Sequence, residues 1–216
     1  MFTKYKAFLF DLNGTMINDM HYHIKAWHRI LNELGANISM EKMQEECYGK
    51  NHELLERILP GRFSVEEKDR MSQAKEKQYQ NEFRSELKLI KGLDSFLRRT
   101  HDAGIKMAIG SAAIMFNIDF VLDGLNIRHY FEALISADNV TESKPDPETW
   151  LTCAARLGVS PQECLVFEDV PKGVEAALHA GMDCVVITTM HGGEDFTDYT
   201  NVISIIDDYD KIGMLQ

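Results

Sequence analysis

The chain has 216 residues, of which 44% are hydrophobic and 26% charged, as expected for a globular protein with a sizeable core. Its net charge of −11 and its lack of a basic cluster argue against nucleic acid or membrane partners. The four cysteines form no Cys-x-x-Cys pair, which argues against a metal cage or a disulfide framework. We therefore expect a cytoplasmic protein without a signal peptide or membrane span, and the absence of a heptad run is compatible with a monomer.

The first predicted element is a strand of apolar residues, Ala7–Phe10, which runs directly into Asp11. An apolar run of this length is typical of a strand that is buried on both faces of a parallel sheet. Gly14 then allows the backbone to turn. Because ligands of open α/β sheets bind beyond the carboxyl ends of the strands, this layout predicts that Asp11 faces an active site.

Residues 16 to about 90 are predicted to be helical throughout. Apolar residues from Ile24 to Leu34 recur at the spacing of one amphipathic face. Ser64 and Glu67 form a capping-box signature, which opens a long charged helix. A helical block that interrupts the chain after its first strand suggests an inserted α-helical cap domain.

From residue 91 onward, strand and helix signals alternate. The apolar runs predicted as further strands are residues 105–109, 133–135, 165–167 and, as the last strand, 184–187. Strands separated by helices indicate an α/β fold with a doubly wound parallel sheet. We therefore predict a core formed by residues 1–15 and 91–216, with a cap formed by residues 16–90.

Polar side chains follow four of the predicted strands. They are Asp11, Ser111, Lys144 and the pair Glu168–Asp169. Each alone has a simpler explanation, such as a helix cap, a turn or a solvated loop lysine. Together they supply a nucleophilic carboxylate, a hydroxyl donor, a cation and an acidic pair, which are the groups that phosphoryl transfer needs. Asp11 and Asp169, with a backbone carbonyl, would also suit Mg²⁺, which prefers hard oxygen ligands.

The same residues resemble the four motifs of the haloacid dehalogenase (HAD) superfamily, in order along the whole chain. The matching segments are Asp11-Leu12-Asn13-Gly14-Thr15, Gly110-Ser111-Ala112, Ser143-Lys144-Pro145-Asp146-Pro147 and Glu168-Asp169. The predicted cap falls where one large branch of the superfamily inserts a small helical cap. The resemblance implies Mg²⁺-dependent phosphoryl transfer from a small phosphorylated metabolite, foremost a sugar phosphate, with a phosphatase favoured over a mutase.

The resemblance also implies roles for the core residues. Asp11 would be the nucleophile and would form an aspartyl phosphate. Ser111 and the backbone amide of Ala112 would bind the transferring phosphoryl group, and Lys144 would neutralise charge beside it. The implied Mg²⁺ ligands are Asp11, the backbone carbonyl of Asn13, Asp169 and Glu168, the last either as a ligand or as a partner of one.

In the cap, the chain looks most like the β-phosphoglucomutase group. His23 and Trp27 match its His-x-x-x-Trp, with His23 expected to orient the proton-transfer residue and Trp27 to serve mainly in packing. Lys75 lies in a charged helix and is expected on a solvated face, although it aligns with a substrate-site lysine of the group. His52 stands where the group has an arginine that grips phosphate, and Lys50 would replace it without the bidentate fork. This departure favours a phosphatase.

Asn13 occupies the position of the second Asp of the family motif, which shuttles a proton. An amide cannot do this at neutral pH, and losing acid–base help costs about 10²- to 10⁴-fold in rate. Three interpretations stay open. They are a slow enzyme that uses an activated leaving group, an inactive protein that binds a phosphorylated metabolite, and a replacement of the native Asp.

Haloacid dehalogenation is a further alternative, because it also uses an Asp nucleophile. It needs no Mg²⁺ and has no phosphate to neutralise, so the Glu168–Asp169 pair argues against it.

Overall fold

The computed structural model describes residues 4–212, which divide into two compact units. The larger unit contains the chain up to Asn18 and from Lys88 onward, and the smaller unit is Asp19–Leu87. The boundaries predicted for the helical insertion were residues 16 and 90.

The larger unit is built on a six-stranded sheet with the order β3-β2-β1-β4-β5-β6, in which every neighbouring pair is parallel. The strands are β1 (Ala7–Phe10), β2 (Lys106–Gly110), β3 (Ala133–Ile135), β4 (Cys164–Glu168), β5 (Asp183–Ile187) and β6 (Val202–Ile206). Strands β2 and β3 are added in turn on one side of β1, and β4, β5 and β6 are added in turn on its other side. The sheet order therefore reverses between β1 and β4, which is where ligands bind in doubly wound sheets.

Alternate residues of the central strands face two different apolar layers. On one side, Leu9 and Val166 pack in a core with helical residues such as Trp150. On the other side, Phe8 and Phe10 pack against Phe96 and Phe167 in an aromatic cluster, with ring centroids 4.6 to 6.3 Å apart. Burial on both faces is the reason that these strands are apolar at every position, and it confirms the predicted α/β fold.

In the described part of the larger unit, four α-helices flank the strands. They are α5 (Leu93–Asp102), α6 (Met115–Gly124), α7 (Glu148–Leu157) and α8 (Pro171–His179), numbered after the four helices of the smaller unit. The prediction that the 184–187 run is the last strand was wrong, because β6 follows it. β6 is an edge strand that is only partly buried, and Ser204 interrupts a run in which its other four residues are apolar.

The smaller unit is helical, with α1 (Met20–Glu33), α2 (Met40–Glu46), α3 (Asn51–Ile58) and α4 (Val65–Phe83). Ser64 and Glu67 form the predicted capping box at the start of α4, with each side chain bonded to the other residue's backbone N–H. Trp27 and Leu31 of α1 are buried. Within residues 4–212, no helix combines the length and the apolar character that crossing a membrane requires.

Candidate active site

Three carboxylates meet at the carboxyl ends of the two central strands. Asp11 follows β1, Glu168 ends β4 and Asp169 comes next, and all three are buried, with at most 7% of their surface exposed. The Asp11 N–H donates to the carbonyl of Phe167 at 3.0 Å, which aligns the two strand ends. Each side chain offers an oxygen within 4.8 Å of the others. Parallel pairing of β1 with β4 thus assembles a buried acidic cluster from segments that are far apart in sequence.

Lys144 lies between two of these carboxylates. Its Nζ donates to Asp11 Oδ1 at 2.7 Å and to Glu168 Oε1 at 2.6 Å, and it also lies 4.3 Å from the centroid of the Trp150 ring. Burial lowers the pKa of Lys144, but the charges of Asp11 and Glu168 more than offset this and raise it above its ordinary value. Lys144 is therefore a charged, largely buried bridge and not a solvated loop lysine.

Asp169 is a carboxylate whose titration is strongly disturbed. Burial, followed by the charges of Glu168 and Asp11, raises the pKa of Asp169 well above its usual range. Two hydroxyls contact it, with Thr15 Oγ1 donating to Oδ1 at 3.0 Å and Thr189 Oγ1 lying 3.4 Å from Oδ2. Thr189 was not among the residues predicted from the sequence. It follows closely after β5, so the strand-end rule that selected the other residues could have found it.

Asn13 and Gly14 form the loop that follows β1. Asn13 is partly exposed, and the Gly14 N–H donates to the Ile17 carbonyl at 2.8 Å. Gly14 has a φ of +83°, and a Cβ at this position would overlap the Asp169 carboxylate. The Gly14 carbonyl also accepts from Thr189 Oγ1 at 2.6 Å. Only glycine satisfies both the backbone angle and the close approach here.

The predicted phosphate-binding residues lie at the end of β2, the strand next to β1. Ser111 is buried, its N–H donates to the Ile135 carbonyl at 2.9 Å, and its Oγ accepts from the Ala113 N–H at 3.1 Å. Ala112 lies between these two residues. The fold thus places Ser111 and Ala112 at the same sheet edge as the acidic cluster, while their role in phosphate binding stays a prediction.

The acidic cluster suits a divalent cation. Three buried carboxylates and the single positive charge of Lys144 leave an excess of negative charge, and all the donor atoms are hard oxygens, which Mg²⁺ prefers. Asp11, Glu168 and Asp169 could hold such an ion directly or through water. The predicted participation of the Asn13 carbonyl stays a prediction.

The smaller unit contains its own buried polar network, which includes two of the predicted cap residues. Lys75 Nζ donates to His23 Nδ1 and to Glu76 Oε1, the latter at 2.9 Å. Because an ammonium group can only donate, His23 Nδ1 accepts, which leaves its Nε2–H to donate to Asp19 Oδ2 at 3.2 Å. The expectation of a solvated face for Lys75 was wrong, because only 2% of this residue is exposed. Glu76 is its direct acidic partner inside the helical unit, and His23 links it to the Asp19 carboxylate.

The other predicted cap residues lie elsewhere in this unit. Trp27 is buried, as expected for a packing role, with the Lys75 Nζ 5.4 Å from its ring centroid. His52 is partly exposed and lies 2.9 Å from Asp69 Oδ1. Lys50 precedes α3, and its N–H donates to the Glu53 carboxylate at 2.9 Å. Roles in substrate binding for His23, Trp27, Lys50, His52 and Lys75 stay predictions.

The larger unit combines a parallel sheet with a buried acidic cluster at its switch point, and a helical insertion follows β1. This combination is typical of the HAD-like hydrolases. The profile of the family described as "Haloacid dehalogenase-like hydrolase" matches residues 8–187. The chain therefore belongs to this family, which confirms the resemblance found in the sequence.

Individual relatives are phosphatases and phosphomutases. The chain is 32% identical to the fructose-1-phosphate phosphatase of Escherichia coli, over 86% of this chain and 97% of that protein. It is 32% identical to the β-phosphoglucomutase of Bacillus subtilis, with 83% and 82% covered. Among solved structures, β-phosphoglucomutase from Clostridium difficile superposes with a TM-score of 0.83 at 28% identity, covering 96% of this chain and 93% of that one.

The raised pKa of Asp169 leads to a prediction for Mg²⁺. Without metal, the protonated Asp169 carboxyl stabilises the folded protein. This contribution is complete below the carboxyl's ordinary pKa and is lost as pH rises through its raised folded-state pKa. Mg²⁺ must displace the proton, so its stabilising effect should be larger at about pH 8 than at about pH 5. Melting temperatures measured in MgCl₂ and in EDTA at both values test this. If Mg²⁺ raised the melting temperature equally at both pH values, or at neither, a metal site at Asp169 would be contradicted. In the Asp169→Asn variant, the difference between the two pH values should disappear.

Gly173 of α8 is expected to be intolerant of any side chain. A Cβ at Gly173 would overlap the carboxylate of Glu168, which is fully buried and held by Lys144. Gly173→Ala should lower the free energy of unfolding by about 1–3 kcal/mol and weaken Mg²⁺ binding. Urea unfolding and Mg²⁺ titration measure both effects. Gly193→Ala is the matched control, because its Cβ would lie at an ordinary 3.7 Å from Ile205, and equal behaviour of the two variants would refute the prediction.

Proposed function

We propose that this protein catalyses Mg²⁺-dependent phosphoryl transfer from a small phosphorylated sugar, foremost as a phosphatase, through an aspartyl phosphate on Asp11. The observation that carries the proposal is the buried arrangement of Asp11, Lys144 and the Glu168–Asp169 pair at the switch point of the sheet. The names of the relatives support the substrate class, since they include phosphatases of fructose 1-phosphate, phosphorylated carbohydrates and hexitol phosphates.

In this mechanism an oxygen of Asp11 attacks phosphorus while the bond from phosphorus to the sugar oxygen breaks. Lys144 holds Asp11 in place and offers positive charge beside it. The Ser111 hydroxyl and the Ala112 amide would donate to the phosphoryl oxygens. A bound divalent cation would add positive charge against the same oxygens. Water then attacks the aspartyl phosphate to release phosphate and regenerate Asp11.

Asn13 determines how fast this chain can react. The departing sugar oxygen needs a proton, and the attacking water must lose one. The Asn13 amide can do neither at neutral pH, so turnover should be slow unless the leaving group is already a good one. The alternative, an inactive protein that binds a phosphorylated metabolite, is favoured by this same residue.

The proposal is tested by measuring phosphate release from a panel of sugar phosphates, with Mg²⁺ or with EDTA. The panel contains fructose 1-phosphate, hexitol phosphates and β-glucose 1-phosphate, together with an aryl phosphate whose leaving group needs no proton. We expect slow, Mg²⁺-dependent release that is fastest for the aryl phosphate. Isomerisation of β-glucose 1-phosphate in place of hydrolysis would point to a mutase. Binding of sugar phosphates without any release would instead favour the alternative of a binding protein.

A further inference from the structure

Asn13 is followed by Gly14, and this is the only Asn-Gly pair in the sequence. Asparagine is among the chemically labile residues of proteins, and it loses its amide most readily before glycine, where no side chain hinders the next backbone nitrogen. We propose that Asn13 is a site of spontaneous deamidation, and that the reaction supplies the carboxylate missing from the active-site loop. The chemical change stands on Asn13 and Gly14 alone, whereas its effect on activity rests on the proposed function.

The acidic cluster itself requires the glycine. A Cβ at residue 14 would overlap the Asp169 carboxylate, and the φ of +83° is one that other residues rarely adopt. A chain with Asn at position 13 must therefore keep the labile Asn-Gly pair in order to keep its acidic cluster. Asn13 is also partly exposed, so the residue lies in contact with solvent.

The reaction balances with water as the only co-reactant. The Gly14 nitrogen gives up its proton and bonds to Cγ of Asn13, and the Cγ–Nδ2 bond breaks to release ammonia. Water then adds to Cγ of the resulting succinimide, the bond from Cγ to the Gly14 nitrogen breaks, and that nitrogen regains a proton. The net change converts Asn13 and water into Asp and ammonia, with the backbone restored.

The fold slows the reaction because the attacking nitrogen is held in a hydrogen bond. The Gly14 nitrogen can attack only after its N–H leaves the Ile17 carbonyl, to which it donates at 2.8 Å. The reaction therefore proceeds through local opening of the 12–17 turn and should be slower in the folded chain than in the unfolded one.

The fold also discriminates between the two possible products. Opening of the succinimide on its other side would give isoaspartate, which adds a methylene to the backbone. The 12–17 turn is closed by the Gly14–Ile17 bond and by a bond from the Met16 N–H to the Leu12 carbonyl at 2.9 Å. Aspartate preserves the spacing of both bonds, so we expect it as the main product in the folded protein.

The test is to incubate the folded protein in ¹⁸O-labelled water with Mg²⁺ and to sample it over days. Peptide mass spectrometry measures ¹⁸O incorporation at residue 13 and separates aspartate from isoaspartate, and phosphate release is measured on the same samples. Asn13→Asp gives the rate of fully converted protein. Asn13→Gln is the matched unreactive control, since its longer side chain would have to form a larger and slower-forming ring.

We expect labelled aspartate to accumulate at residue 13, with activity rising in proportion toward the Asn13→Asp rate, while Asn13→Gln stays at its initial rate. Absence of ¹⁸O at residue 13 in the folded chain, or conversion only to isoaspartate, would overturn the proposal. An inert Asn13→Asp variant would instead refute the proposed function, and the ¹⁸O measurement would still decide whether Asn13 is modified.

Discussion

Replacing Asn13 by Asp should raise kcat for phosphate release from the preferred sugar phosphate by about 10²- to 10⁴-fold. The carboxyl group would protonate the departing sugar oxygen and later accept a proton from the attacking water, while Asp11, Lys144 and the acidic pair stay in place. The gain should be much smaller for an aryl phosphate, because its leaving group needs no proton. Steady-state kinetics on freshly purified protein measure both substrates.

Asn81→Asp is the matched control for this substitution. Asn81 is exposed on α4, so the same change in charge there should leave kcat within a factor of about two. Equal gains for the sugar phosphate and the aryl phosphate would show that residue 13 acts on phosphate binding and not on proton transfer. Unchanged inactivity of Asn13→Asp across the panel would refute the enzymatic function.

Asp11→Asn, introduced into the Asn13→Asp background, should lower phosphate release by about 10⁴-fold or more. The amide is a poor nucleophile and cannot form an aspartyl phosphate, so the chemical step loses its covalent route. The fold should survive, because asparagine has the same shape and its oxygen can still accept from Lys144, which also keeps Glu168 as a partner.

Trapping the intermediate makes this second test specific. The parent protein, which carries Asn13→Asp alone, should acquire a phosphoryl group on Asp11 during turnover. Mass spectrometry after rapid acid quenching would detect this group, and the Asp11→Asn variant should lack it. Asp102→Asn is the control, because Asp102 is exposed at the end of α5 and should keep full activity. Full activity of the Asp11→Asn variant would exclude the covalent mechanism.

The candidate site could be predicted to the extent that it consists of strand ends. Asp11 and Glu168 each follow an apolar run whose burial on both faces is visible in the sequence, and the parallel sheet then brings these ends to one edge. The structure shows that they meet, with Lys144 bridging them at 2.6 to 2.7 Å. Thr189 escaped prediction only because a threonine after a strand is common and usually has no chemical role.

The environment of the charged residues could not be predicted. Lys75 lies in a helix of mixed charge, and nothing local distinguishes it from its exposed neighbour Lys77. Its burial depends on His23 of α1, which Lys75 contacts directly and which in turn bonds to Asp19 just before that helix. In the same way, Trp150 lies against the Lys144 ammonium because α7 packs on the sheet, and the sequence spacing of the two residues does not reveal this contact.

The sequence by itself determined the family and the α/β architecture, and it supplied the candidate reactive groups, with Asn13 at the position where the family motif has an Asp. These features depend on local patterns: apolar runs, glycine positions and the residues directly after strands. Only the tertiary structure decided that β6 extends the sheet, that Lys75 is buried and that the pKa of Asp169 is raised. Each of these depends on contacts between segments distant in sequence, because burial and electrostatic coupling are properties of the packed protein.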